Sequence, residues 1–143
     1  MDKDLEKLFG QINKNFGTNT IQFLTKDFRP EIKVYSTGSL MLDLALGRGG
    51  LPRGRIIEVF GNSMAGKTTI TLLHIAEVQK ANEGYCAFVD AEHAFDPQLA
   101  AQYGVDLEKL VYINPLTAEN AIDTIDALIR TGKFRCIVID SVK

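Results

Sequence analysis

The sequence is short of the features that mark several protein classes. It has only two cysteines in 143 residues, Cys86 and Cys136, and both sit in apolar, strand-like runs. They read as buried reduced thiols, not as a disulfide or a metal site. No apolar run nears the roughly 20 residues that a membrane-spanning helix requires. The N-terminus, MDKDLEKLFG, is amphipathic and charged and has no signal-peptide core. Neither sign of charge dominates: the formal net charge is −2, which argues against a broadly basic surface for coating nucleic acid but leaves room for a local patch. Internal repeats, low-complexity tracts and linkers are lacking too. What is present, 45% hydrophobic and 24% charged residues, suits a cytoplasmic globular chain long enough to bury a real core.

The rest of the chain is arranged around Arg55–Thr69, RIIEVFGNSMAGKTT. Ile56, Ile57, Val59 and Phe60 form an apolar, mostly β-branched run that reads as a buried strand stopping at Gly61. Gly61-x-x-x-x-Gly66-Lys67-Thr68 follows, then a helical pattern to about Ala81. Strand, glycine loop and helix N-terminus in that order make a phosphate cradle. The glycines let backbone N–H groups turn inward, and the helix end adds unsatisfied donors and a positive dipole end. Lys67 has the reach for β- and γ-phosphates, and the Thr68 hydroxyl suits a Mg²⁺ ligand. The pattern predicts a nucleoside-triphosphate site.

From the N-terminus, residues 3–16 set Leu5, Leu8, Phe9, Ile12 and Phe16 on one helical face. Such a helix could fold back on its own domain, or dock on a neighbour across a hinge at Gly17-Thr18-Asn19. Ile21–Leu24 reads as a short strand in need of a sheet edge, which another chain could supply. Residues 25–33 read as a loop, and Leu40–Leu46 as a short helix started at Ser39 and ended by Gly47. Beyond the glycine loop, strands are expected at Tyr85–Val89, Leu110–Ile113 and Cys136–Asp140. They alternate with a helix beginning near Asp96-Pro97 and another from Thr117 to about Arg130, ended at Gly132. Apolar strands alternating with helices predict an α/β fold with a parallel sheet.

The run Ile137-Val138-Ile139-Asp140 delivers one carboxylate to the C-terminal edge of that sheet, where Asp140 can share a Mg²⁺ shell with Thr68. Glu92 lies just past another strand end on the same edge. There it could orient and deprotonate the water that attacks a γ-phosphate, or stand as a solvated loop acid. Asp90 competes for the role, two residues nearer the strand. His93 and His74 read as structural.

STGSLMLDLALGRGGLPRGRIIEVFGNSMAGKTT, AFVDAEHAFDP and VIDS closely resemble the N-terminal part and ATPase core of bacterial RecA recombinases. The resemblance runs from about Leu5 to Val142 and is more specific than a glycine loop alone. It implies a P-loop NTPase fold with a RecA-like parallel sheet. Residues 1–32 would be an N-terminal helix–strand oligomerisation arm, and residues 33–143 a partial ATPase core whose sheet is incomplete at its C-terminal end. ATP and Mg²⁺ are the implied cofactors. The implied phosphate loop comprises Gly61, Asn62, Ser63, Met64, Ala65, Gly66, Lys67, Thr68 and Thr69; Lys67 and Glu92 carry catalysis, with Glu92 activating the water. Asp140 joins Thr68 at the metal, and Asp96 lies beside the adenine. The implied function is ATP-dependent filament formation on single-stranded DNA, with homologous pairing, strand exchange, DNA repair and promotion of the damage (SOS) response. Self-association would run through the arm.

The sequence also departs from the family pattern. Asn62, Met64 and Ala65 stand in a loop that is usually richer in proline and serine, and Leu99 stands where a tyrosine usually stacks on adenine. The chain stops three residues after Asp140, before the family's DNA-binding loops. The family strand that would separate the Ile56–Phe60 strand from the Asp140 strand is missing, so both should expose apolar faces and unpaired backbone. Two other readings follow: a nonenzymatic fragment that docks on or caps an intact recombinase filament, and a helicase-like or clock-like relative of the same fold.

Overall fold

The computed structural model describes residues 2–18, 20–24 and 32–141, which fall in two units, Met1–Glu31 and Ile32–Lys143. In the first unit, helix α1 spans Lys3–Phe16, as the apolar spacing predicts. Asp2 caps it by accepting from the Asp4 N–H at 3.1 Å. Asp4 and Glu6 sit at the positive end of its dipole and Lys14 at the negative end. None of its residues is buried.

Ile21–Leu24 corrects the sequence reading, because it forms no strand. Asn13 takes the place of a ladder neighbour: its side-chain amide donates to the Ile21 carbonyl at 3.0 Å and accepts from the Ile21 N–H at 2.9 Å. Phe23 rests on Phe9, with ring centroids 4.9 Å apart. The segment's first polar groups are therefore satisfied by its own helix, without a sheet edge. At the expected hinge Gly17 has φ of 110°, while Asn19 lies outside the described residues, as do residues 25–31 of the expected loop.

The second unit opens with strands β1, Val34–Tyr35, and β2, Leu51–Pro52, paired antiparallel. Two residues each are too few to show a period. Gly50 makes the pairing possible, since a Cβ there would lie 2.0 Å from the Tyr35 carbonyl oxygen. Between these strands helix α2, Leu40–Leu46, has the ends its sequence predicts, with Ser39 as N-cap and a left-handed Gly47 after it. Asp43 ties α2 to the preceding turn, accepting from the Ser36 hydroxyl at 2.6 Å and from the Thr37 N–H and hydroxyl at 2.9 and 2.7 Å.

Then come α3 (Lys67–Lys80), β3 (Tyr85–Asp90), α4 (Pro97–Gln102), a 3-10 turn (Leu107–Lys109), β4 (Leu110–Ile113), α5 (Ala118–Arg130) and β5 (Phe134–Asp140). The three strands form a parallel sheet in the order β4-β3-β5. Strand β3 is central, and Cys86 to Asp90 along it are all buried. Helix α3 packs on β3 and β5, and Leu72, Ile75 and Val78 meet Cys86, Phe88 and Val138 in the core. Both cysteines are free. Burial pushes the Cys86 thiol up to about 12 and the Cys136 thiol up to about 11, so both remain protonated at neutral pH. Among the described residues no helix is long and apolar enough to cross a membrane.

Ile56–Phe60 is the second correction. The expected strand is irregular, with Ile56 fully exposed and Phe60 85% exposed. A strand that is apolar on both faces forms only between neighbours, and among the described residues no strand pairs with it. β5 lies at the open edge of the sheet, where Ile139 is 42% exposed.

Candidate functional site

The glycine loop begins at Gly61 and turns through a hydrogen bond from the Ala65 N–H to the Asn62 carbonyl, 3.2 Å. Two residues in it adopt left-handed backbone, Met64 (φ 63°) and Gly66 (φ 87°). Only the second has the residue suited to that region. Gly66 is the N-cap of α3 and provides no side-chain cap, so the first N–H groups of a 14-residue helix carry their partial positive charge without a capping oxygen. Residues 61–66 are all exposed. The Lys67 ammonium is drawn back onto the loop, donating to the Gly61 and Asn62 carbonyls at 3.1 and 3.0 Å.

Thr68, one residue into α3, meets the end of β5. Its hydroxyl donates to Asp140 Oδ2 at 2.6 Å, across 72 residues of sequence. Parallel pairing sets Asp140 beside Asp90, and the Ala91 N–H donates to the Asp140 carbonyl at 2.9 Å. Thr68, Asp90, Glu92 and Asp140, with Phe88, Ala94 and Phe95, line one cleft of about 60 Å³. A cleft of that size does not enclose a nucleoside. Among the described residues no group of three or more His, Cys, Asp or Glu could hold a metal by itself. A hydroxyl and one carboxylate suit Mg²⁺, which keeps waters and takes other oxygens from a phosphate substrate.

The two competing carboxylates are used differently. Asp90 is 2% exposed. Its Oδ1 accepts from the Ala94 N–H at 3.1 Å, and its Oδ2 from the Phe95 N–H and the Tyr112 hydroxyl, both at 2.9 Å. Burial works to raise its pKa, but the donors Phe95, Ala94, Tyr112 and His93 together outweigh it and hold the carboxyl below its ordinary value. Asp90 is thus spent on the loop that follows it. Glu92, exposed in that loop, accepts from the Ser141 hydroxyl at 2.5 Å. His93 shapes the turn with φ of 57°. His74 lies away from it in α3, with Nδ1 2.7 Å from the Ser36 carbonyl oxygen.

Asp96 is not among the residues lining this cleft. It caps α4, with Oδ1 accepting from Gln98 and Leu99 N–H at 2.8 and 3.2 Å. Sequence reasoning missed Tyr112 and Ser141. The register could have pointed to Tyr112, since Phe88 pairs with it, placing it near the strand end that carries Asp90.

Residues 3–143 match the family model described as the RecA N-terminal domain. Protein RecA of Kineococcus radiotolerans is 49% identical over 141 residues, which is 99% of this chain and 40% of that protein. Protein RecA of Mycolicibacterium gilvum is 50% identical over 141 residues, with the same coverage of 99% and 40%. Protein RecA of Acinetobacter baylyi is 49% identical over 140 residues, 98% of this chain and 40% of that protein. The chain thus spans about 40% of the length of these curated relatives.

Proposed function

The chain belongs to the RecA family, and from that premise we propose that it is the ATP-binding part of a DNA-dependent recombinase, with a P-loop NTPase core over residues 33–143. The reading rests on the contact of Thr68 with Asp140, 2.6 Å across 72 residues, with Glu92 lining the same cleft. In it, Gly61–Thr69, exposed over residues 61–66, and the uncapped start of α3 hold the phosphates of ATP. Lys67 leaves the two loop carbonyls for the β- and γ-phosphates. Thr68 and Asp140 hold Mg²⁺, which would neutralise charge between the phosphates. Glu92, steadied by Ser141, orients the attacking water and takes its proton. Asp96 lies beside the adenine.

In the same proposal, residues 1–32 are the arm through which copies associate into a filament on single-stranded DNA. The protein acts in the cytoplasm in homologous pairing, strand exchange, DNA repair and the damage (SOS) response. The test is ATP turnover with and without single-stranded DNA, with Lys67→Ala as the control. DNA-stimulated turnover that vanishes in Lys67→Ala is the expected result. Turnover that persists unchanged in Lys67→Ala would sink the site.

One observation favours a second reading, a nonenzymatic fragment that docks on an intact recombinase: the open β5 edge with Ile139 exposed, alongside exposed Ile56 and Phe60. A folded chain that binds Mg²⁺–ATP, turns none over, and slows an intact recombinase at substoichiometric amounts would favour it.

A further inference from the structure

Residues 91–96, the loop that carries Glu92, form no regular element; beyond the Ala91 N–H on the Asp140 carbonyl, side-chain contacts gather it. Asp90 gathers it by accepting from the Ala94 and Phe95 N–H groups. The Phe95 ring is held from two sides, 4.8 Å from Phe88 and 5.3 Å from Tyr112 between centroids. Tyr112 therefore contributes twice to one point: its ring packs against Phe95, and its hydroxyl donates at 2.9 Å to the same Asp90 oxygen that receives the Phe95 N–H. Tyr112 stands on β4, outside the loop and outside the cleft lining.

We propose that Tyr112 is a positioning residue for Glu92, clamping Asp90 and Phe95 so that the loop between them presents the Glu92 carboxylate beside Ser141. The inference rests on the reading of Glu92 as the water-activating group. Its physical content is that Asp90 is one of three carboxylates at a small cleft, with Glu92 and Asp140. The Tyr112 hydroxyl directs Asp90 toward its own loop and away from the metal and water that the other two would serve. Without that donor, Asp90 retains its backbone partners but loses the side-chain bond that orders Oδ2 between loop and strand.

Tyr112→Phe removes the hydroxyl and leaves the ring. Amide exchange at Ala94 and Phe95 should quicken by about fivefold to tenfold, the worth of one hydrogen bond, while exchange in the buried β3 amides stays as it was. In ATP turnover kcat, referred to the concentration of folded chain, should fall by a similar factor with KM unchanged, while the thermal midpoint and the β3 amides report that folding itself is intact. Tyr112→Leu, which also removes the ring, should go further in the same direction. Unmoved amides at Ala94 and Phe95 in both variants would overturn the clamp, whatever the turnover. Should Glu92→Gln hydrolyse ATP as fast as the active parent, the reading of Glu92 fails instead, and the two failures are told apart.

Discussion

Asp90 and Asp140 end adjacent strands at paired positions, yet one is committed to structure and the other meets Thr68. The difference lies in donors: Asp90 has two backbone N–H groups and a tyrosine hydroxyl within hydrogen-bond reach. Because its folded pKa lies below its ordinary value, the bound carboxylate stabilises the fold at any pH above about 3.9, the unfolded value. That stability is lost as pH falls through the lower folded value. Asp90→Asn should therefore cost about 1–3 kcal/mol at pH 7 by leaving buried donors poorly matched. The gap from the parent should close in thermal melts taken progressively below pH 4. A gap that widens on acidification would contradict the assignment. Leu99 gives a second residue-scale test. It is 37% exposed on α4, where its N–H binds Asp96, and Leu99→Tyr should tighten ATP by a fewfold to about tenfold if a ring there stacks on adenine. Equal affinities by calorimetry would show that the base lies elsewhere.

Among elements, the ones legible in the sequence are those whose ends are set by local chemistry. Asp96-Pro97, Thr117 and Ser39 each begin a helix because a side-chain oxygen accepts the N–H groups two or three residues on. β4 and β5 were legible as apolar runs, and so was the place of Asp140 at the end of β5 and of the glycine loop ahead of α3. What was not legible depends on partners far along the chain. Ile56–Phe60 has strand composition but no ladder neighbour among the described residues, so propensity alone does not make it a strand. Ile21–Leu24 lost its strand to one amide, that of Asn13. That correction predicts its own test: Asn13→Ala should free the segment, with exchange at the Ile21 amide rising by about tenfold for the lost bonds. An Ile21 amide still protected in the variant would mean that Phe9 and Phe23 hold the segment without Asn13.

On the scale of the whole chain, apolar side chains of the described residues are exposed at many places, Ile56, Phe60 and helix α2 among them, and two of these places offer distinct routes to association. One is the β5 edge, where unpaired backbone groups accompany Ile139; the other is α1, where Leu8 is 47% and Phe16 76% exposed. Each favours association by a different route. An open edge recruits another strand through its backbone, whereas a helix face recruits an apolar groove through side chains. The chain should accordingly self-associate as its concentration rises in sedimentation velocity, and single lysines should separate the routes. Ile139→Lys places a charge on the edge strand, the device by which natural sheets prevent edge pairing. Leu8→Lys interrupts the helix face and leaves the sheet alone. If Leu8→Lys alone keeps the chain monomeric, the contact is the arm, as a filament-forming protein requires. If Ile139→Lys alone does so, association reflects an unfilled sheet, and the fragment reading gains at the expense of the filament. A chain that stays monomeric without either change would remove the support that surface exposure lends to both.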